Sequence, residues 1–358
     1  MKKSYLFSAF AAGMVMLSAC SNDGDLTNGG NESNDAVQQF VLQVANTGDG
    51  LQTRAGRPLE SSEATQTIEN VKIIVCDQTN EVKYVKTIEN WNQSTVSSPY
   101  TDNGHGRKKT IMIPKEEKLA AGEYTVYAFG YSSSSEYDAD DLKKITEVVK
   151  STPTSKATFT SNVKLGTKTS SIKGEEIFAG SQTFTVTDNN GFNQGVVLNR
   201  QVAGTFGYFD KIPYVKGATT LQLVAANRNK TLVLGNFNSF DLTGNGEGND
   251  EHLNYVVNGT EAAADKVIYS ISLDKWFKNV IDNNTDGLID YDASNWKGDA
   301  SKYAVGSVFA GQFLIPFEKS ATSAETFVLQ LTNGTDVLKS WTVRLPEGDG
   351  QFTTHTLW

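Results

Sequence analysis

The sequence predicts an all-β protein, two β-sandwich domains in tandem with minor helices, and three observations carry that expectation. Short apolar runs alternate along the whole chain with turns rich in Gly, Asn, Asp, Ser and Thr, the rhythm of a sandwich. The first of those runs places apolar residues at every second position, the period of a strand with one buried face. A polar break at Thr187-Asp188-Asn189-Asn190-Gly191 then divides the β-rich chain into two parts of ordinary domain size. The expected domains are residues 37–192 and 193–358.

Residues ahead of position 37 read as an address. Met1-Lys2-Lys3 is cationic, Tyr5 to Met16 is apolar, and Leu17-Ser18-Ala19-Cys20 follows as small residues ending in cysteine. Charge, length and exit are those of a secretory signal, and the run is short for a membrane span. A cysteine at the cleavage position is the lipoprotein signature. Residues 1–19 are therefore expected to be a lipoprotein signal peptide, with Cys20 carrying diacylglycerol and a fatty acid after cleavage. Residues 20–36, mostly Gly, Asn, Asp and Ser, cannot bury a core and form a lipidated flexible tether. Two lipid chains anchor firmly where one is marginal. The acidic stretch Ser21-Asn22-Asp23-Gly24-Asp25 resembles the surface-export signal of Bacteroidota lipoproteins, which implies the outer face of the outer membrane.

The strands follow in order. Gln39 to Ala45 places Phe40, Leu42 and Val44 on one face. A polar loop, Asn46 to Glu63, carries Arg54 and Arg57. Val71–Cys76 and Val82–Ile88, separated by Asp77-Gln78-Thr79-Asn80, read as a hairpin. Thr110–Ile113 is a strand stopped by Pro114, and Leu119 to Gly130 is a turn feeding an aromatic strand. Helices are expected over Asp138–Val149, with Leu142, Ile145 and Val149 on one face, and over Leu273–Ile281. Gly195 to Phe209 reads as one long strand. Leu221–Ala225, Thr231–Leu234, Lys266–Ser272, Val308–Ile315, Phe327–Leu331 and Val337–Arg344 continue the pattern. The sequence stops at Thr356-Leu357-Trp358 without a polar tail, which reads as a second sandwich wanting a closing strand.

Composition removes several classes of function. The formal charge is −9, and loss of Lys2 and Lys3 with the signal takes it to −11. Such a chain repels nucleic acid and anionic membrane surfaces. Once Cys20 is lipidated, Cys76 has no partner in the chain, and its apolar run makes it a buried, inert thiol. The three histidines, His105, His252 and His355, lack ligand spacing, against a zinc site or a histidine triad. No P-loop, Gly-x-Ser-x-Gly elbow or nucleotide fingerprint is present. The doublet Glu175-Glu176 points to opposite faces of a strand and cannot flank one glycosidic bond. No catalytic residue is assigned, and the chain is not expected to be an enzyme.

A family likeness appears in the order of motifs. An early strand is followed by Thr53-Arg54-Ala55-Gly56-Arg57, then by Ile68-Glu69-Asn70-Val71 and Ala121-Gly122-Glu123-Tyr124-Thr125-Val126-Tyr127-Ala128. Glu175-Glu176-Ile177-Phe178-Ala179-Gly180-Ser181 then leads to Val197-Leu198-Asn199-Arg200-Gln201-Val202-Ala203. This order resembles the fimbrillin superfamily of Bacteroidales, the shaft, anchor and tip subunits of type V pili. The resemblance implies two tandem transthyretin-like Greek-key β-sandwiches, export as a lipoprotein, and assembly by donor-strand exchange in the service of adhesion. In polymerising members an Arg-specific protease cuts after the first strand, which here implies cleavage after Arg54 or Arg57. Pro58 hinders the cut at Arg57, so Arg54 is the better site. The removed strand would take Phe40, Leu42 and Val44 with it, and the implied partners are other pilin subunits and a host or microbial surface.

Two further patterns bear on function. Asp282, Asn284, Asp286 and Asp290 fall at the first, third, fifth and ninth positions of an EF-hand-like loop, with Gly287 at the sixth. Ala293 stands at the twelfth, where a carboxylate belongs, so Ca2+ is a weak candidate and no other cofactor is expected. The aromatics Trp91, Tyr100, Tyr131, Trp276, Tyr291 and Trp296 lie in or beside loops. As sugar-stacking platforms they define the alternative, a surface glycan-binding lipoprotein of a polysaccharide uptake system; as lids on a sandwich core they carry no function.

Overall fold

The computed structural model describes residues 37–45, 68–100, 106–133, 135–161, 163–166, 176–187, 191–224, 231–234, 255–256, 267–301, 303–315 and 326–344. The protein is all-β, and its one described α-helix is short.

The first part of the chain builds β1 (Gln38–Ala45), β2 (Asn70–Asp77), β3 (Val82–Ile88), β4 (Ser98–Tyr100), β5 (Gly106–Met112) and β6 (Gly122–Tyr131). It continues through α1 (Ala139–Thr146), β7 (Lys164–Gly166), β8 (Phe178–Val186) and β9 (Phe192–Arg200). Eight strands form a continuous ladder in the order β3-β2-β6-β8-β9-β1-β5-β4. β8 and β9 touch through only two residue pairs, Phe178 with Arg200 and Ala179 with Asn199. At that corner the ladder folds over, and side chains from both arms meet in one core: Phe40, Leu42, Ile111, Val196 and Leu198 from one, Val71, Ile73, Val126 and Phe184 from the other. Gly180 lets the corner close, because a Cβ there would sit 2.0 Å from the carbonyl oxygen of Val197.

The β3-β2-β6-β8 arm is covered on its outer face as well. Ile74, Cys76, Phe129, Ile177 and Ala179 pack there against Ile145 of α1, Phe159, Val163 and Leu165. That double cover explains six consecutive buried residues in β2, Val71 to Cys76, a pattern ordinarily found in sheets buried on both sides. Asp138 caps α1, its carboxylate accepting from the Asp140 and Asp141 N–H groups. Buried Lys72 meets the other end, donating to the carbonyls of Thr146 (2.5 Å) and Val148 (2.9 Å). A cation there also suits the helix dipole.

The second part contributes β10 (Ala203–Phe209), β11 (Thr220–Val224), β12 (Thr231–Val233), β13 (Tyr255–Val256), β14 (Val267–Ser272), β15 (Val308–Leu314), β16 (Thr326–Thr332) and β17 (Val337–Arg344). β14-β11-β16-β17 is a four-stranded antiparallel sheet, and β10 pairs with β15. Leu221, Ile268, Ile271, Phe277, Trp296, Val308 and Leu331 fill the core between them. β12 pairs with β7 of the first part, and Leu232, Leu234 and Ile315 join the outer-face cluster against Ile74 and Phe129.

Three sequence expectations need correction. The run Gly195–Phe209 is two strands, because Gln201 and Val202 interrupt it; β9 stays with β1 while β10 enters the second core. α1 ends at Thr146, leaving Val149 65% exposed while Ile145 alone of the helix is fully buried. Leu273–Lys275 is a single 3-10 turn that does not extend to Ile281, since Trp276 and Phe277 are drawn into the second core. Among the described residues no helix is long and apolar enough to cross a membrane.

Candidate functional site

The site is the seat of β1. Its flanks are β9, which runs parallel to it from Gln38 opposite Phe192 to Val44 opposite Leu198, and β5, antiparallel from Gln39 opposite Met112 to Ala45 opposite Gly106. β1 is thus an interior strand although it comes first among the described strands. The period-two pattern decides its faces: Phe40, Leu42 and Val44 are each 0% exposed, while Gln39, Val41 and Gln43 are half-buried on the outer side. The Phe40 ring lies edge-on to Phe184 at 5.5 Å and tilted against Phe192 at 5.1 Å, geometries that aromatic rings prefer.

One residue of this face was not singled out from the sequence. Gln38 shares the parity of Phe40 and is 1% exposed. Its side-chain amide donates to the Leu119 carbonyl at 2.9 Å and accepts from the Leu119 N–H at 2.8 Å. A glutamine in phase with three apolar residues is the signal that could have found it.

The described parts of the two motif halves, Glu176–Ser181 and Val197–Gln201, are brought together at the β8–β9 corner. Arg200 and Glu176 form an ion pair there, Glu176 almost wholly buried, with the guanidinium carbon 5.6 Å from the Phe178 ring centroid. Burial lowers the Arg200 pKa and the Glu176 carboxylate opposes that shift. Buried Cys76 has its thiol pushed up to about 12, by burial first and by Asp77 second, so it holds its proton and is no nucleophile.

Cys20, Arg54 and Arg57 lie outside the described residues. The calcium candidates are described, and their side chains serve the loop itself. Asp282 accepts from the N–H groups of Asp286 (3.1 Å) and Gly287 (3.0 Å), and Asn284 donates to Asp286 (3.1 Å). Asp286 accepts from the Leu288 N–H (2.8 Å), and Asp290 accepts from Asn283. Gly287 has φ +83°, which suits glycine. Among the described residues no three His, Cys, Asp or Glu side chains gather as a metal-binding group. The loop aromatics divide similarly. Trp91, Tyr131 and Trp296 are buried, Trp276 lies edge-on to Phe309 at 4.4 Å, and Tyr291 is 37% exposed. The buried ones are core lids and offer no face to a sugar.

No family model matches the chain, and no curated protein matches it. Among solved structures, the chain is similar to a fimbrial assembly protein from Parabacteroides distasonis, at 10% identity and TM-score 0.37 over 86% of this chain and 85% of that one. It is similar to the fimbrial anchor protein Mfa2 from Porphyromonas gingivalis, at 9% identity and TM-score 0.37 over 86% and 83%. It is also similar to candidate polysaccharide-binding proteins from Bacteroides thetaiotaomicron, at 11% identity and TM-score 0.40 over 85% and 79%.

Proposed function

We propose that this protein is a structural subunit of a surface pilus, exported as a lipoprotein on Cys20 and assembled by exchange of its first strand. The observation that carries the reading is the seat of β1, an interior strand joined to the rest of the fold through the Arg54- and Arg57-bearing segment 46–67. Burying three apolar side chains is worth roughly 1.5–3 kcal/mol each, enough to keep an uncut chain closed. A cut after Arg54 converts β1 from a covalent part of the fold into a ligand of it. Its departure frees the edges of β9 and β5 together, with an apolar furrow between them. Paired sheet edges of this kind are templates for an incoming strand. The subunit then passes from outer-membrane lipoprotein to pilus component, and adhesion to a host or microbial surface is its biological output.

The test is digestion of the full chain with an Arg-specific protease. The reading expects loss of the segment ahead of residue 55 followed by a ladder of oligomers on a gel. A cut chain that keeps β1 and stays monomeric would overturn it. Quenching of tryptophan fluorescence by oligosaccharides, with no oligomers, would favour the glycan-binding alternative.

A further inference from the structure

The β1 furrow has to fix the register of whatever strand fills it, and its apolar residues cannot do so alone. A one-residue slip turns Phe40, Leu42 and Val44 outward and is excluded by their burial. A two-residue slip keeps the same parity, with apolar side chains still pointing inward. Something else must distinguish the seated register from its neighbours two residues away.

Gln38 has the chemistry for it. Leu119 is buried in a connection between strands, and its N–H and C=O both meet the Gln38 amide, at 2.8 and 2.9 Å. The side chain acts as one more rung of backbone pairing, made to a connection that belongs to no strand. Its own backbone is also engaged, since the Gln38 carbonyl accepts from the Ile113 N–H at 2.9 Å. A strand slipped by two residues presents either Phe40 or a residue ahead of Gln38 at this point, and with Phe40 there both Leu119 groups lose their partner. Buried backbone groups left without partners are costly.

We infer that the Gln38–Leu119 clamp sets the register of the furrow. The furrow accordingly selects a donor strand from another polypeptide that carries glutamine two residues before an aromatic anchor, followed by aliphatic residues at the next two alternate positions. Such a strand runs parallel to β9 and antiparallel to β5, as β1 does. This inference rests on the strand-exchange reading above and adds the partner's sequence requirement to it.

The experiment uses the full chain cut by an Arg-specific protease and three labelled peptides. The first has the sequence of residues 37–45, the second carries Gln38→Leu, which keeps the bulk and removes the amide, and the third carries Phe40→Ala. Fluorescence anisotropy should show capture of the first peptide, with the Gln38→Leu peptide weaker by roughly 10- to 100-fold for two orphaned buried groups. Equal capture of the first two, with Phe40→Ala weaker, overturns the clamp and leaves strand exchange standing. No capture of any peptide by a chain that has released β1 overturns strand exchange. In the uncut chain, Gln38→Leu should raise hydrogen exchange at Leu119 at least tenfold while β2 and β3 stay protected. Unchanged exchange at Leu119 overturns the clamp even where β1 is never released.

Discussion

The two parts of the molecule bury their strands to different depths. In the first, three layers lie on one another: the β4-β5-β1-β9 arm, the β3-β2-β6-β8 arm, and a cover of α1 with Phe159, Leu165 and Leu232. A strand such as β2 then has no solvent face. In the second part β17 lies at the edge of its sheet, paired among the described residues only with β16, and residues 333–340 are all exposed, Val337 to 55%. The same apolar residue types are therefore structural in β2 and nearly idle on the exposed stretch of β17. Layer number, and not strand composition, sets what a substitution costs.

The largest effect expected from that contrast is at Phe40. Phe40→Ala leaves a cavity between Phe184 and Phe192 and should cost about 3–5 kcal/mol in urea unfolding. A cost no greater than that of an exposed valine would show that β1 is not seated as described. At the fold-over corner, Glu176→Ala leaves the Arg200 cation without this carboxylate. Loss of about 3 kcal/mol is expected, the low end for a broken buried pair, because Arg200 keeps 17% exposure. Gly180→Ala forces a methyl group against the Val197 carbonyl and should cost about 1–3 kcal/mol. Hydrogen exchange should rise first at Phe178 and Ala179, where β8 meets β9.

Smaller still is a pH effect confined to the β2–β3 turn. Burial opposes ionisation of Asp77, but the Thr79 hydroxyl, Lys83 and the Glu81 and Thr79 N–H groups together outweigh it and bring its pKa to about 2. A carboxylate depressed on folding stabilises the protein above its unfolded pKa, near 3.9, and that contribution is lost as pH falls through about 2. Denaturation midpoints measured from pH 5 to pH 2 should fall less in Asp77→Asn than in the parent chain; parallel curves would refute the assignment. Least of all, Val337→Ala should change stability by under ~0.5 kcal/mol. A larger loss would mean that the β17 edge is covered in solution, and the contrast between the two parts would weaken.

Legibility in the sequence followed the same division. The alternation of Phe40, Leu42 and Val44 announced both the strand and its buried face, and Asp77 to Asn80 marked the hairpin turn. β8 is not legible as a strand because Ser181, Gln182 and Thr183 interrupt its apolar residues, although Phe178, Ala179 and Gly180 are buried. The break at Gln201-Val202 was hidden because neither residue is a turn former, and both are buried. Gln38 shows locally only as a glutamine in phase with three apolar residues, and its role depends on Leu119, distant in sequence, which supplies its partner. Lys72 is illegible for the same reason, its carbonyl partners lying at and just beyond the end of a helix far along the chain. What depends on contacts between distant segments is not written in any local pattern.

The parallel pairing of β1 with β9 has a mechanical consequence. Tension that enters at Val37 and leaves at Arg200 pulls the two strands lengthwise in opposite directions, so every rung from Gln38 to Val44 bears load at once. An antiparallel neighbour loaded at the same end would open rung by rung like a zip. A chain pulled between these two ends is held by shear, and the strand-exchange reading proposed above needs a severed backbone for β1 to leave without force.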